Sequence, residues 1–232
     1  MSQKNSHTPT GSKGLDDILH GGFKRGELTL IYGEANTGKT AITLQAVYEA
    51  TRRGYKVLYI DTERSFTSQG FNQAGPRAEE IGKMISLFMP DTFNAQRRII
   101  ESLENYVTPK TALIVVDSMT GLYRLSLTDA KGTFALNKDL SGQLAQLKSL
   151  VSRRGVACVI TGQVHTKIDP PIGVIEPVAK RVLFHLVNTI IRTKSTPTPN
   201  VKEFVVERLN NIEKTPIGCT VMLKGKGIED VK

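Results

Sequence analysis

Tryptophan is absent and cysteine occurs only twice, at Cys158 and Cys219. Two thiols are too few for a disulfide scaffold or for a zinc site built on cysteine. The expectation is therefore a reducing, cytoplasmic setting. The four histidines, His7, His20, His165 and His185, are scattered without ligand spacing, and no zinc is expected. No window of about 18 residues is free of charge or strong polarity, which excludes a transmembrane helix. Met1 to Ser6 has no apolar run behind its lysine, which argues against a secretory signal. Acidic residues are also in short supply, 22 against 31 Lys and Arg, for a net charge of +9. Such a surplus suits an acidic partner, nucleic acid first among them; a solvated surface rich in lysine gives the same total.

The chain has 232 residues, 39% of them apolar, enough to bury the core of one large domain. Residues 1–9 are polar, end at Pro9 and read as a loose tail; residues 10–232 read as one domain without internal repeats. Strand and helix patterns alternate. Apolar strands are expected at 28–32, 56–60, 112–116 and 156–160, and helices at 41–53, 92–106 and around Leu140, Leu144, Leu147 and Val151. The run Ala112-Leu113-Ile114-Val115-Val116 is apolar throughout, as in a parallel strand covered on both faces. Beyond residue 188 the pattern changes to short strands at 189–192, 203–207 and 219–223 joined by turns, which should pair antiparallel.

Between the first strand and the first helix stands Gly33-Glu34-Ala35-Asn36-Thr37-Gly38-Lys39-Thr40, a G-x-x-x-x-G-K-[ST] loop. Its glycines let backbone N–H groups turn toward phosphate oxygens, and the helix behind it adds its positive end. Lys39 is placed to reach the β- and γ-phosphates of ATP, and Thr40 to hold Mg²⁺. Asp117 ends the apolar strand 112–116, where a carboxylate contacts Mg²⁺ directly or through water; the plain alternative is a capped turn. Glu63 follows the strand 56–60 and Gln163 follows 156–160. In a doubly wound sheet both would share a rim with Lys39 and Asp117. Glu63 is suited to polarise a water, or else pairs with Arg64. Gln163 is suited to contact the γ-phosphate, or else caps a loop. The segment from His165 to Arg181 holds three prolines and reads as a long functional loop.

Taken in order, these motifs resemble the RecA-type ATPase core. Thr10-Gly11-Ser12-Lys13-Gly14-Leu15-Asp16, Gly21-Gly22-Phe23 and Gly26-Glu27-Leu28 precede the phosphate loop. Ile60-Asp61-Thr62-Glu63 looks like the strand that carries the catalytic glutamate, and residues 116–125 like a Walker B strand running into a first DNA loop. Ile160-Thr161-Gly162-Gln163-Val164 looks like the glutamine sensor before a second loop, and residues 224–230 like the closing turn. Within that superfamily the chain is most similar to the archaeal RadB-type paralogues of the recombinase RadA. The resemblance implies a RecA-like P-loop NTPase core, α/β, with a mostly parallel central sheet flanked by helices and C-terminal antiparallel strands. It also implies an accessory protein of homologous recombination and DNA repair that binds ATP, Mg²⁺ and single-stranded DNA, hydrolyses ATP weakly and works beside a RadA-type recombinase. A KaiC-like signalling ATPase acting on protein partners is the alternative, and tight, salt-sensitive single-strand binding separates the two.

The first loop, Tyr123 to Phe134, keeps Arg124 as its DNA candidate. The stretch from Pro177 to Lys202 holds Lys180, Arg181, Arg192, Lys194 and Lys202 and no acid. Lys180 and Arg181 are the expected phosphate contacts, while Arg192 and Lys194 could merely protect a strand edge. Tyr123 and Phe184 are the candidates for base stacking, with core packing the commoner fate of such aromatics. Arg208 is a candidate for reaching the ATP of a neighbouring copy.

Overall fold

Strands that are apolar on both faces need cover on both faces, and the arrangement of this chain supplies it. A computed structural model describes residues 6–66, 78–127, 130–166, 175–224 and 227–231. In chain order the elements are β1 (His7–Thr8), α1 (Lys13–Ile18), β2 (Phe23–Lys24), β3 (Leu28–Gly33), α2 (Lys39–Arg52), β4 (Lys56–Asp61), α3 (Ala78–Gly82), β5 (Ile85–Phe88) and α4 (Phe93–Ser102). A 3₁₀ turn over Leu103–Tyr106 leads to β6 (Thr111–Asp117), α5 (Gly121–Leu125), α6 (Ala130–Arg154), β7 (Ala157–Gly162), β8 (Val164–Thr166) and β9 (Ile175–Pro177). The chain ends with α7 (Lys180–Leu186), β10 (Thr189–Ser195), β11 (Val201–Leu209), β12 (Ile212–Lys224) and β13 (Gly227–Asp230).

One nine-stranded sheet carries the order β13-β12-β11-β10-β3-β7-β6-β4-β5. From β10 to β5 the strands are parallel, and from β10 to β13 they are antiparallel. This is the mixed sheet expected from the change of pattern after residue 188. Alternate side chains of each parallel strand enter opposite cores. Leu113 and Val115 pack with Ile42, Ala46, Val47 and Ala50 of α2. Ile114 and Val116 pack with Leu140, Leu144 and Leu147 of α6 and Ile100 of α4. The four-residue spacing read from the sequence is thus the spacing of the buried faces of both helices. Thr92 opens α4 by accepting from the Ala95 N–H. No helix among the described residues is long and apolar enough to cross a membrane.

Two expectations are corrected. The tail 1–9 is not loose at its inner end: β1 pairs antiparallel with β2, and Thr8 is buried with its hydroxyl donating to the Ala112 carbonyl. Its residues 1–5 lie outside the described residues. The loop 123–134 is largely helical, because α5 and α6 occupy all of it except residues 126–129. Of the segment 165–181, the described residues belong to the paired strands β8 and β9 and to the start of α7; the long loop expected there falls on 167–174, outside the described residues.

The chain ends are fastened together by one carboxylate. Asp230 on β13 accepts from the Ser12 hydroxyl at 2.5 Å, the Lys13 N–H at 2.7 Å and the Gly14 N–H at 3.2 Å. It therefore caps the start of α1 from more than 200 residues away, beside the α1–β12 packing. Asp230→Ala leaves these donors without their charged acceptor, and a loss of about 1–3 kcal/mol is expected. Thermal unfolding of the variant should show a melting temperature lower by about 2–10 °C; an unchanged melting temperature would show that the clasp contributes nothing.

Candidate nucleotide site and loop rim

The carboxyl ends of β3, β4, β6 and β7 converge on the loop 33–40. Gly33 is held against β10: a Cβ there would lie 2.2 Å from Thr193 Oγ1 and 2.4 Å from its carbonyl oxygen. No side chain fits at that distance, so the loop departs from the sheet at closest approach. Thr37 fixes the same corner, with its hydroxyl 2.7 Å from the Glu34 carbonyl and 2.6 Å from Thr193 Oγ1. Gly38 takes φ +93° as it hands the chain to α2, one residue before Lys39. Glu34, Ala35 and Asn36 are exposed at the loop crest.

A 360 Å³ cavity lies over this loop, lined by Ala35, Asn36, Gly38, Lys39, Thr40, Ala41, Glu63, Asp117 and Leu223. The sequence placed all of these lining residues except Ala41 and Leu223. Leu223 comes from the far antiparallel part of the sheet, and no local pattern pointed to it. Lys39 Nζ donates to the Gly33 carbonyl at 2.9 Å and the Glu34 carbonyl at 2.6 Å. Burial lowers its pKa, against the pull of Asp117, Glu63 and Glu34. Asp117 is 2% exposed. It accepts from the hydroxyls of Thr161 and, at 3.0 Å, Tyr59. Burial raises its pKa and outweighs the hydrogen bonds from Thr161, Thr40 and Tyr59. In both Lys39 and Asp117, burial works against the charged form.

Glu63 and Gln163, 100 residues apart, meet directly. Gln163 Nε2 donates to Glu63 Oε1 at 2.7 Å, and the Ser118 hydroxyl donates to the same oxygen at 2.6 Å. The turn that aims Glu63 is built by a residue the sequence left without a role. Buried Asp61 accepts from the backbone N–H groups of Glu63, Ser65 and Phe66. Thr62 and Ser118 tie the ends of β4 and β6 reciprocally, at 2.8 and 2.9 Å. The Gln163 N–H in turn donates to the Thr120 hydroxyl at 3.0 Å. Serine and threonine at strand ends carry no motif, so these supports are invisible to sequence reading.

The basic candidates separate. Arg124 on α5 is exposed, as are Lys180 and Arg181 at the start of α7. Lys180 pairs with Glu176 at 3.3 Å and stands 5.7 Å from the Phe184 ring. Arg192 is not on a sheet edge, because β10 is flanked there by β3 and β11; Lys194 lies past the end of the β3 pairing and faces Glu203 on β11 at 4.0 Å. Arg208 is held within this chain by Glu213 at 2.6 Å and by the Phe184 carbonyl at 2.6 Å. Of the aromatics, Tyr123 is buried with its hydroxyl on Asn137, and Phe184 is half-buried against Tyr32. An exposed ring in the first-loop segment is Phe134 on α6, 75% exposed; Leu125 on α5 is 81% exposed. Assigning 134 to a loop boundary hid it.

Comparison with known proteins agrees with this geometry. A family model described as Rad51 matches residues 3–230. The DNA repair and recombination protein RadB of Methanococcoides burtonii is 34% identical over 214 residues, covering 92% of this chain and 94% of that protein. RadB of Thermococcus gammatolerans is 36% identical over 228 residues, covering 96% and 98%. A solved structure described as the RadB recombinase superposes with a TM-score of 0.80 at 33% identity, covering 97% of this chain and all of that one. With the phosphate loop, the strand-end carboxylates and the mixed sheet in these positions, the chain belongs to the Rad51 family.

Proposed function

We propose that this chain is an ATP-binding, DNA-binding accessory of homologous recombination and repair, acting in the cytoplasm beside a RadA-type recombinase. The observation that carries the reading is the Gln163–Glu63 hydrogen bond at the mouth of the phosphate-loop cavity, immediately before the β8–β9 hairpin and the basic start of α7. It gives a nucleotide site and a phosphate-binding surface one shared residue pair.

The residues present fit ATP and Mg²⁺. The N–H groups of 33–40 and the Lys39 ammonium would hold the phosphates; Thr40 and Asp117 would hold the metal ion. A half-buried ammonium close to a buried carboxylate, each with its charged form disfavoured by burial, suits a polyanion with a divalent cation. Bound Mg²⁺ supplies Lewis acidity toward phosphoryl oxygens. The protein's own part is positional. Lys39 must release the Gly33 and Glu34 carbonyls to turn toward phosphate. Glu63 keeps Oε1 occupied by Gln163 and Ser118, which leaves Oε2 to accept a proton from water. Gln163 Nε2 carries two N–H groups, so one can hold Glu63 while the other donates to a γ-phosphate oxygen. Hydrolysis on this account is weak and depends on how the Gln163–Glu63 pair is held.

Lys180 and Arg181 would meet the phosphates of single-stranded DNA, with Arg124 beside them and Phe134 as the stacking surface. This rests on exposure and charge rather than on base-reading groups, so sequence preference should be slight.

Two results test the reading. Glu63→Gln should keep ATP-analogue binding and lower any turnover by about 10²-fold or more, measured as phosphate release on the same preparation; undiminished turnover would remove Glu63 from the reaction. Replacing Lys180 and Arg181 by Ala should flatten the dependence of log K on log salt for single-stranded DNA by about 0.7–1.4. An unchanged slope in that variant would move the single-strand site elsewhere.

A further inference from the structure

The opposite end of the sheet, where the parallel strands begin, carries a second concentration of positive charge. Lys110 and Thr111 lead into β6, Arg153 and Arg154 end α6 just before β7, and Arg52, Arg53 and Lys56 join α2 to β4. These strands are neighbours in the order β7-β6-β4, so all of these bases share one rim. The Lys56 N–H donates to the Lys110 carbonyl at 2.9 Å, which fixes the two lysines side by side. The six side chains are exposed.

The pairing within this rim leaves charge over. Arg153 and Arg154 share one carboxylate, Glu104, at 3.1 and 3.0 Å. Arg52 and Arg53 share Glu49 in the same way, at 2.9 and 3.6 Å. Each glutamate neutralises one guanidinium and orients two, so each pair presents an aligned fork with a full charge in excess. Lys56 and Lys110 enter no ion pair among the described residues. Glu80 stands across a small cavity from Arg52, Glu101 lines another with Glu104 and Arg153, and the charge of Asp16 acts on Arg53.

We propose that this rim is a second polyanion site that grips the phosphate backbone of duplex DNA, independently of the nucleotide. The partner is a duplex rather than a single strand because, among the described residues, the ring set between these bases is not free for stacking: Tyr55, between Arg53 and Lys56, is already covered by Arg25 at 5.0 Å. Independence from nucleotide follows from position. The cavity over residues 33–40 and Gln163 lie at the other ends of the same strands. The proposal rests on the DNA-binding reading above but uses none of its residues.

The test is equilibrium binding of a labelled duplex across a salt series to wild type, Lys56→Glu/Lys110→Glu and Lys180→Ala/Arg181→Ala, each with and without a non-hydrolysable ATP analogue. The lysine-to-glutamate variant should flatten the duplex salt slope by about 1.8 or more, from about 0.9 per phosphate contact. The slope should be the same with and without the analogue, and affinity for the analogue itself should be unchanged, which verifies the fold. Failure of the earlier reading shows separately, as an unchanged single-strand slope in the Lys180→Ala/Arg181→Ala variant. An unchanged duplex slope in Lys56→Glu/Lys110→Glu overturns the second site. An unchanged duplex slope with lost binding of a labelled polyglutamate peptide overturns it in favour of an acidic protein partner.

Discussion

Five adjacent parallel strands buried on both faces leave a protein only two places for chemistry, the rims where the strands end. That constraint organises this molecule. β3, β4, β6 and β7 have almost no exposed side chain between their ends, because α2 covers one face and α4 and α6 cover the other. Everything charged and reactive is therefore exported to the rims. At the carboxyl rim the exported groups are Glu63, Asp117 and Gln163; at the amino rim they are the arginine pairs on Glu49 and Glu104 with Lys56 and Lys110.

The two rims differ in how their charges are held. At the amino rim charges are hydrated, loosely paired and numerous, which favours contacts that salt weakens. At the carboxyl rim they are few and unequally hydrated, with Asp117 buried and Glu63 exposed. Burial lowers the pKa of Lys39, against the pull of Asp117, Glu63 and Glu34, and raises that of Asp117. On the proposed reading the same desolvation makes the site selective for a phosphate chain carrying a metal ion.

The sequence exposed the parts that depend on backbone economy and local period. The glycines and Lys39 of the phosphate loop, the buried strands, and the helical stripe Leu140-Leu144-Leu147 all obey spacing rules that hold without knowledge of the fold. Asp117, Glu63 and Gln163 were legible because strand ends inherit their place from the strands. The supports were not. Asp61, Thr62, Ser118 and Thr120 act by hydrogen bonds to partners up to 56 residues away or across a turn, and such residue types are common at any strand end. Leu223 reaches the cavity only because β12 folds back beside β11. The ordered part of the tail was missed for the same reason, since β1 is two residues long and its partner is β2. Of the aromatics, core packing, the commoner fate, holds for Tyr123, which α5 turns inward, and Phe184 is half-buried against Tyr32; reading 123–134 as a loop left Phe134 without a role, whereas α6 holds it outward.

The central claim is that Glu63 and Gln163 join the nucleotide cavity to the single-strand surface. Its most direct measurement is the affinity of wild type for labelled single-stranded DNA with and without a non-hydrolysable ATP analogue, paired with the affinity for the analogue with and without DNA, repeated in Gln163→Ala. The account predicts a change in both affinities by one common factor, in the range of about 5–150-fold typical of coupled sites, and its collapse toward unity in Gln163→Ala with analogue binding retained. Equal DNA affinities with and without the analogue in wild type would contradict it.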